Sequence, residues 1–561
     1  MGSLKGQLTL RGIVIGAIGC IIITASSVYT ALKLGALPWP IVFAAILSLF
    51  FLKLVSRNTS TLNEANVTHT VMSAGAMVAG GLAFTIPGAW MLGLADQTSW
   101  VDMLCVALAG VILGLICTAA LHRHFIDDAE LEYPIGEAAA QTLVAGDTGG
   151  RTGAKLFGSM GLAGLYTALR DGAGVLPIMF FGNVSIPGVT FGIYNSPMML
   201  AVGFLVGTFA VCVWFAGALF ANFGLVVGGT AAGLWDSATA SGIVSSLGMG
   251  CMMGAGLGVV FKDVLPKALR ALRGQTARRE GGAVEGIRLG SARVTAGLAA
   301  LGVAAVALLV CFGLGIGPLA CVVVVLLAFV ATAMSAQSVG QTGIDPMEIF
   351  GLIVLLAVAA VSDTPQVQLF FVAGVVAVAC GLAGDVMNDF HAGRVLGTSP
   401  TAQWVGQAIG AVLGAFVSVA VMAVLLGAYG ADAFGGDGAF VAAQASVVAT
   451  MVSGIPNVPA FAIGLVAGIV LYFAKFPAMM LGLGIYLPFY MSFTAFIGAM
   501  CKVVYDAVCA RRRRALPEEQ RDGRKAAQDE TGLVVSSGIL GGESVVGVIV
   551  ALVAVCAGML A

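Results

Sequence analysis

Long apolar runs, separated by Pro, Gly and charged residues, dominate the chain. They lie near 11–33, 39–55, 66–92, 101–121, 156–181, 197–221, 239–261, 294–314, 317–335, 347–361, 366–383, 404–428, 439–453, 458–474, 477–500 and 533–558. Residues 131–146 and 223–235 add two shorter candidates. A helix needs about 20 apolar residues to cross the hydrocarbon core, so the pattern predicts about 14–16 crossings. The short Ala- and Gly-rich runs, such as 439–453, are expected to be re-entrant or broken. A β-barrel is excluded, because barrel strands alternate apolar and polar positions. Val322–Val330 is apolar at every position. The predicted fold class is therefore all-α, a polytopic integral membrane protein.

Composition sharpens this picture. Hydrophobic residues make up 59% of the 561, and charged residues only 10%, against roughly 25% in a soluble domain. A soluble enzyme, a secreted disulfide scaffold and a disordered chain are excluded. The formal net charge is −1 and the basic residues fall in loops, so the expected partner is the lipid bilayer and not nucleic acid. The 11 cysteines form no CxxC pair and lie mostly inside apolar runs, where they serve as small packing residues. The first apolar stretch leads into another span, so no cleavable signal peptide is expected.

Loop charges orient the chain. Residues 262–293 carry Lys262, Lys267, Arg270, Arg273, Arg278, Arg279, Arg288 and Arg293; residues 501–531 carry Lys502, Arg511 to Arg514, Arg521, Arg524 and Lys525. Both loops are expected in the cytoplasm, which makes this a multi-pass protein of the cytoplasmic (inner) membrane. Asp96, Asp102, Asp432 and Asp437 mark outward loops.

The chain also resembles itself. Pro197–Gly203 aligns with Pro477–Gly484, and Ser241–Ser246 with Thr531–Ser536. This predicts a membrane repeat at 1–261, a basic linker at 262–293 and a second membrane repeat at 294–561. Transporters often place substrate at the interface of two repeats. Whether the repeats are parallel or inverted stays open, as does pairing into a homodimer.

Ionisable residues within apolar spans cost several kcal/mol, about 2.5–3.5 on insertion scales, and each asks for a reason. Glu64, Asn66 and His69 open a span in Asn63-Glu-Ala-Asn-Val-Thr-His69; Glu64 reads as a helix-start cap or as a protonatable, substrate-facing carboxylate. Glu132 and Glu137 frame Glu132-Tyr-Pro-Ile-Gly-Glu-Ala-Ala-Ala-Gln141, where Pro134 and Gly136 break the backbone. A broken helix frees N–H groups for an anion. Gly454-Ile-Pro-Asn-Val-Pro-Ala460 breaks another, and Pro477 and Pro488 bracket Tyr486. Glu543 is the lone acid of the last span, set among Gly538, Gly541, Gly542 and Gly547. It reads as a proton carrier or as an acid satisfied by a neighbouring helix. The substrate-binding candidates are Glu64, Asn66, Glu137, Gln141, Asn457 and Tyr486. The proton-coupling candidates are Glu543 and Glu64. Asp385, Asn388, Asp389 and His391 also cluster, but ahead of Arg394 in what reads as a cytoplasmic loop.

The chain lacks G-x-x-x-x-G-K-[ST], so it should not hydrolyse ATP through a P-loop. H-E-x-x-H and paired-His motifs are absent among His69, His122, His124 and His391. No catalytic residue, metal site or cofactor is expected, and the chain is not read as an enzyme; a proton is the expected coupling ion, with sodium left open.

Several segments resemble the oligopeptide transporter family in its prokaryotic branch, related to the yellow-stripe-like carriers. They are Glu64-Ala-Asn66 with Ser73-Ala-Gly75 and Phe84-Thr-Ile-Pro87, Tyr133-Pro-Ile-Gly-Glu-Ala138, Asp389-Phe-His-Ala-Gly393 with Gly397-Thr-Ser-Pro400, Pro477 through Pro488, and Gly538 through Glu543. The resemblance implies a duplicated secondary carrier for proton-coupled uptake of small peptides. The Asn-Pro-Gly and Lys-Ile-Pro-Pro-Arg segments of the eukaryotic peptide branch are missing. A carrier of metal–chelate (siderophore- or nicotianamine-like) or glutathione-like compounds therefore stays open beside the peptide reading.

Overall fold

The computed structural model describes residues 4–35, 37, 40–56, 60–128, 131, 133–147, 152–182, 184–259, 261–262, 287, 292–342, 345–436, 438–453, 455–514 and 517–560. Most of the first basic linker and Glu132 lie outside these residues. The described chain is overwhelmingly helical. Among the described residues ten helices are long and apolar enough to cross a membrane, and six more apolar helices have 10–17 residues. A polytopic all-α membrane protein is what the apolar runs predict, because a backbone in lipid must satisfy its own hydrogen bonds.

The helices used below are α1 (Leu10–Leu34), α2 (Leu62–Ala83), α3 (Pro134–Asp147), α4 (Thr152–Thr167), α5 (Pro197–Val206), α6 (Ser237–Val259), α7 (Gln366–Leu396), α8 (Pro400–Tyr429), α9 (Val458–Phe473), α10 (Ala478–Tyr486), α11 (Phe489–Arg514) and α12 (Glu518–Leu560).

The chain forms two compact units. One comprises Met1–Gly150 with Val259–Ser453, the other Arg151–Gly258 with Gly454–Ala561. Each unit draws on both halves of the sequence. The division into compact units therefore runs across the chain differently from a split at the basic linker.

In the first unit α7 is the central element, buried almost without interruption from Phe370 to Gly393. A helix apolar nearly all round belongs in an interior. It packs against α2, which is itself buried along most of its length. Small residues permit this. A Cβ on Gly81 would lie 2.6 Å from the Val378 backbone, and Gly414 of α8 meets Gly75 of α2 backbone to backbone. The sequence pattern ends the 366–383 span before Asp385; the structure corrects this. The helix runs on to Leu396 and stops at Gly397, whose φ of 75° closes it. Asp385, Asn388 and Asp389 are therefore inside a buried helix, not in a loop. They fall at i, i+3 and i+4 on one face, while Val386, Met387 and Phe390 keep the remaining faces apolar.

In the second unit α4 ends at Thr167 and continues as a π-helical turn through Gly172. The 156–181 run is thus shorter than expected as a helix. Gly174 at φ 64° and Pro177 follow, and two short antiparallel pairs take over: Met179–Phe180 with Ile193–Tyr194, and Ser185–Ile186 with Val189–Thr190. α12 crosses α4 at Gly538 and Gly542, and α6 crosses α9 at Gly250 and Gly254 facing Gly464 and Gly468. Such small-residue crossings let backbones touch where no hydrophobic force exists between helices in lipid. A Cβ on Gly254 would sit 2.9 Å from the Leu465 carbonyl carbon and 3.1 Å from Gly468 Cα. Backbone cannot swing aside as a side chain can. Gly254→Leu is therefore expected to destabilise by about 1–3 kcal/mol or more, read as a lowered melting temperature in detergent. An unchanged melting curve would contradict this packing.

Candidate functional site

The first unit gathers three polar helix faces. Along α2, Asn66, His69, Thr70 and Ser73 recur at i, i+3, i+4 and i+7, which places them on one side; all are buried. α7 contributes Asp385, Asn388 and Asp389, and α8 contributes Gln403 and Gln407 at i and i+4, both fully buried. These faces meet. Ser73 Oγ lies 3.3 Å from Asp385 Oδ2 and 3.3 Å from Asp389 Oδ2. Gln407 Nε2 donates to Asp389 Oδ2 at 2.6 Å, and Gln403 Nε2 donates to the Asp389 carbonyl at 2.6 Å. His69 Nδ1 stands 3.7 Å from Asp389 Oδ1. A seam this polar, inside a bundle otherwise built of Ala, Val, Leu and Gly, is unusual for a purely structural interior.

The broken segment before α3 reaches the same face of α7. Tyr133 holds a left-handed backbone, φ 42°, which a non-Gly residue rarely adopts. It is pinned there: its N–H donates to Gly340 O at 2.9 Å, its hydroxyl to Ala336 O at 3.4 Å, and its ring is fully buried. Pro134 then starts the helix, where its missing N–H costs nothing. The Gly136 N–H donates to Asn388 Oδ1 at 3.1 Å. Glu137 Oε2 faces His391 Nε2 at 3.4 Å, and Gln141 Nε2 donates to Glu137 Oε1 at 3.0 Å. Glu137 is 42% exposed at its side chain, so this end of the seam reaches the protein surface.

Glu64 sits at the start of α2, beneath the Thr61 cap. Arg11 of α1 grips it with two donors, Nε to Oε1 at 2.6 Å and Nη2 to Oε2 at 2.7 Å; Thr9 Oγ1 donates as well, at 2.6 Å. Asn66 Nδ2 donates to Thr398 Oγ1 at 3.0 Å, and Thr398 donates to Asn63 Oδ1 at 2.9 Å. Two segments more than 300 residues apart, Asn63–Asn66 and Gly397–Pro400, are thereby joined.

The second unit holds the other candidates. Glu543 is fully buried and fully engaged. Its Oε1 accepts from Arg170 Nη2 at 3.0 Å and Ser196 Oγ at 2.8 Å, and its Oε2 accepts from the Met198 N–H at 2.7 Å. The last contact uses the first turn of α5, where free N–H groups and the helix dipole favour an anion. Asn457 caps α9, its Oδ1 accepting from the Ala460 N–H at 3.0 Å; its own N–H donates to Ser246 Oγ of α6 at 3.0 Å. Tyr486, at the end of α10, lies against Gly248, two residues further along α6. α6 therefore brings Asn457 and Tyr486 to one stretch of helix.

Glu64, Asn66, Glu137 and Gln141 lie in the first unit; Asn457, Tyr486 and Glu543 lie in the second. His69, Ser73, Asp385, Asp389, Gln403, Gln407 and Arg170 escaped sequence reasoning as site residues. The signal that could have found most of them is a helical period of polar residues inside apolar spans. Among the described residues no group of three His, Cys, Asp or Glu side chains is placed to hold a metal ion.

The family described as "OPT oligopeptide transporter protein" matches residues 7–264 and 272–554. A Haemophilus influenzae protein named "Putative oligopeptide transporter" is 32% identical over 188 residues. That alignment covers 32% of this chain and 28% of the relative's length. The family match takes in nearly the whole sequence, and the chain belongs to the oligopeptide transporter family.

Proposed function

We propose that this member of the family is a secondary carrier that imports small oligopeptides across the cytoplasmic membrane, driven by inward proton movement. Family membership carries the reading, and the buried polar seam of the first unit supports it. A carrier must offer polar groups at membrane depth to a substrate that has shed its water. Peptides present amide donors and acceptors and two opposite charges. Asn66, Glu137 and Gln141 of the first unit supply groups that match these; Asn457 and Tyr486 are separate candidates within the second unit. Glu64 and Glu543 each tie an arginine to a neighbouring element. Neutralising either carboxyl would weaken that ion pair and loosen a helix contact, which is how a proton could be coupled to movement.

Labelled di- and tripeptides in proteoliposomes test this. An inward proton gradient is expected to drive their accumulation. A bound peptide at 100 times its Kd should also stabilise the purified protein by about 2.7 kcal/mol, seen as a raised melting temperature. Stabilisation and uptake of a metal chelate or glutathione, with no response to peptides, would replace the peptide reading. Accumulation driven by sodium alone would replace the proton.

A further inference from the structure

Asp385 and Asp389 differ from Glu64 and Glu543, the buried acids that hold an arginine. They lie one turn apart on α7, 2% and 0% exposed, and they share Ser73 Oγ at 3.3 Å each. A hydroxyl carries one proton and can donate to only one of them. Glu64 and Glu543 each have an arginine. Among the described residues no lysine or arginine is paired with either aspartate, and the one cation-capable group recorded beside them is His69, 3.7 Å from Asp389 Oδ1.

The unmet valences point the same way. Asp385 Oδ1, Asp389 Oδ1 and Gln407 Oε1 are buried with no hydrogen-bond partner. Gln407 is fully buried, and its amide nitrogen is already on Asp389, so its carbonyl end lies in the same site. All three are acceptors; Thr70 Oγ1 and both ring nitrogens of His69, on the α2 face beside them, are unpartnered too, and the Thr70 hydroxyl is placed to serve Asp389. One neutral hydroxyl and one imidazole do not balance two carboxylates, so the unmet need is for a proton or a positive charge. Two ionised carboxylates sharing one hydroxyl in a dry interior would carry a heavy penalty. The surrounding elements supply neutral hydrogen-bond donors but no lysine or arginine. α1 presents Cys20 to Asp385, and Asp345, itself near Glu348, adds a further acid. The Trp100–His122 helix places His122 against Phe390, α3 engages His391 through Glu137, and α8 offers only the amides of Gln403 and Gln407.

We propose that the Asp385–Asp389 pair, bridged by Ser73 and Gln407, is the site that holds the transported proton in transit. One proton adds to one carboxylate oxygen on loading, and the same O–H bond breaks on release, with no other reactant. A calcium ion takes about six to eight oxygen ligands, more than the three acceptors left free here; the sodium arm of the test below separates a monovalent ion from a proton. This inference rests on the proton-coupled reading above and adds to it a residence for the proton.

The test uses the full-length protein in proteoliposomes and two readouts. The first is the infrared band of protonated carboxyl groups, followed against pH with its deuterium shift. Wild type is expected to show a band persisting at neutral pH, and Asp385→Asn or Asp389→Asn to lose it. The second is peptide accumulation. A one-unit proton gradient stores about 1.4 kcal/mol, enough for about tenfold accumulation per proton carried. Either Asn variant should fall to no accumulation. Should the variants fail to fold, the wild-type band and its shift in Ser73→Ala still decide. A wild type that accumulates peptide but shows no such band overturns the site and leaves proton coupling standing. A band lost on substitution, in a protein that no proton gradient drives, keeps the site and overturns the coupling. Variants that retain both band and accumulation overturn the proposal, as does a wild-type site filled by sodium.

Discussion

Arg170→Met is expected to lower stability by about 3–5 kcal/mol, the cost of leaving one partner of a buried pair uncompensated. Arg170 and Glu543 are 1% and 0% exposed at their side chains. Arg170 also grips Asp171 through two bonds of 2.6 Å and donates to the Asn195 carbonyl. Losing it strands Glu543 with Ser196 and the Met198 N–H as its remaining donors. Thermal unfolding in detergent reads the effect. The double variant Arg170→Met/Glu543→Gln should recover part of the loss, because the stranded charge is gone; the double-mutant cycle measures that coupling. Lys502 and Asp506 serve as a contrast, an i,i+4 pair 29% and 47% exposed. Lys502→Ala should cost less than about 1 kcal/mol. Equal melting of Arg170→Met and wild type would mean that the pair does not hold the second unit together.

Gly136→Leu is expected to abolish transport. A Cβ at Gly136 would press on the Asn388 main-chain carbonyl, and would lie 3.1 Å from Asn388 Cα. Neither chain can yield without parting α3 from α7, and parting them breaks the Gly136–Asn388 hydrogen bond and moves Glu137 away from His391. Transport should fall by about a hundredfold, since misplacing a positioning group by an ångström can cost that much. Gly158→Ala, on an exposed stretch of α4 with open space beside it, should transport like wild type and melt at the same temperature or slightly higher. Wild-type uptake by Gly136→Leu would separate the α3–α7 contact from function.

Hydropathy and turn residues act within one segment at a time, and what depends on them was legible in the chain. Apolar runs of span length gave an all-α membrane protein. Pro134, Pro456, Pro459 and Pro488 marked where helices are interrupted, because proline lacks the N–H and clashes with the preceding turn. Short motifs in order pointed to the family. The lone position of Glu543 among apolar residues signalled a group with a specific partner, but Arg170 lies 373 positions away, and nothing local links the two.

The interior seam was decided by tertiary structure alone. Asp385, Asn388 and Asp389 read as the start of a loop because window hydropathy falls there. α7 continues through them because its neighbours supply what lipid cannot: a hydroxyl from Ser73, amides from Gln403 and Gln407, and a broken helix start at Gly136. Which polar residue finds which partner depends on glycine-to-glycine crossings such as Gly75 with Gly414, which bring helices close enough for short side chains to meet. Composition determines that such a chain enters a membrane and spans it. Only packing decides that Glu64 and Glu543 meet arginines while Asp385 and Asp389 share Ser73, because electrostatic pairing in a low dielectric is set by distances of a few ångströms between segments far apart in the chain.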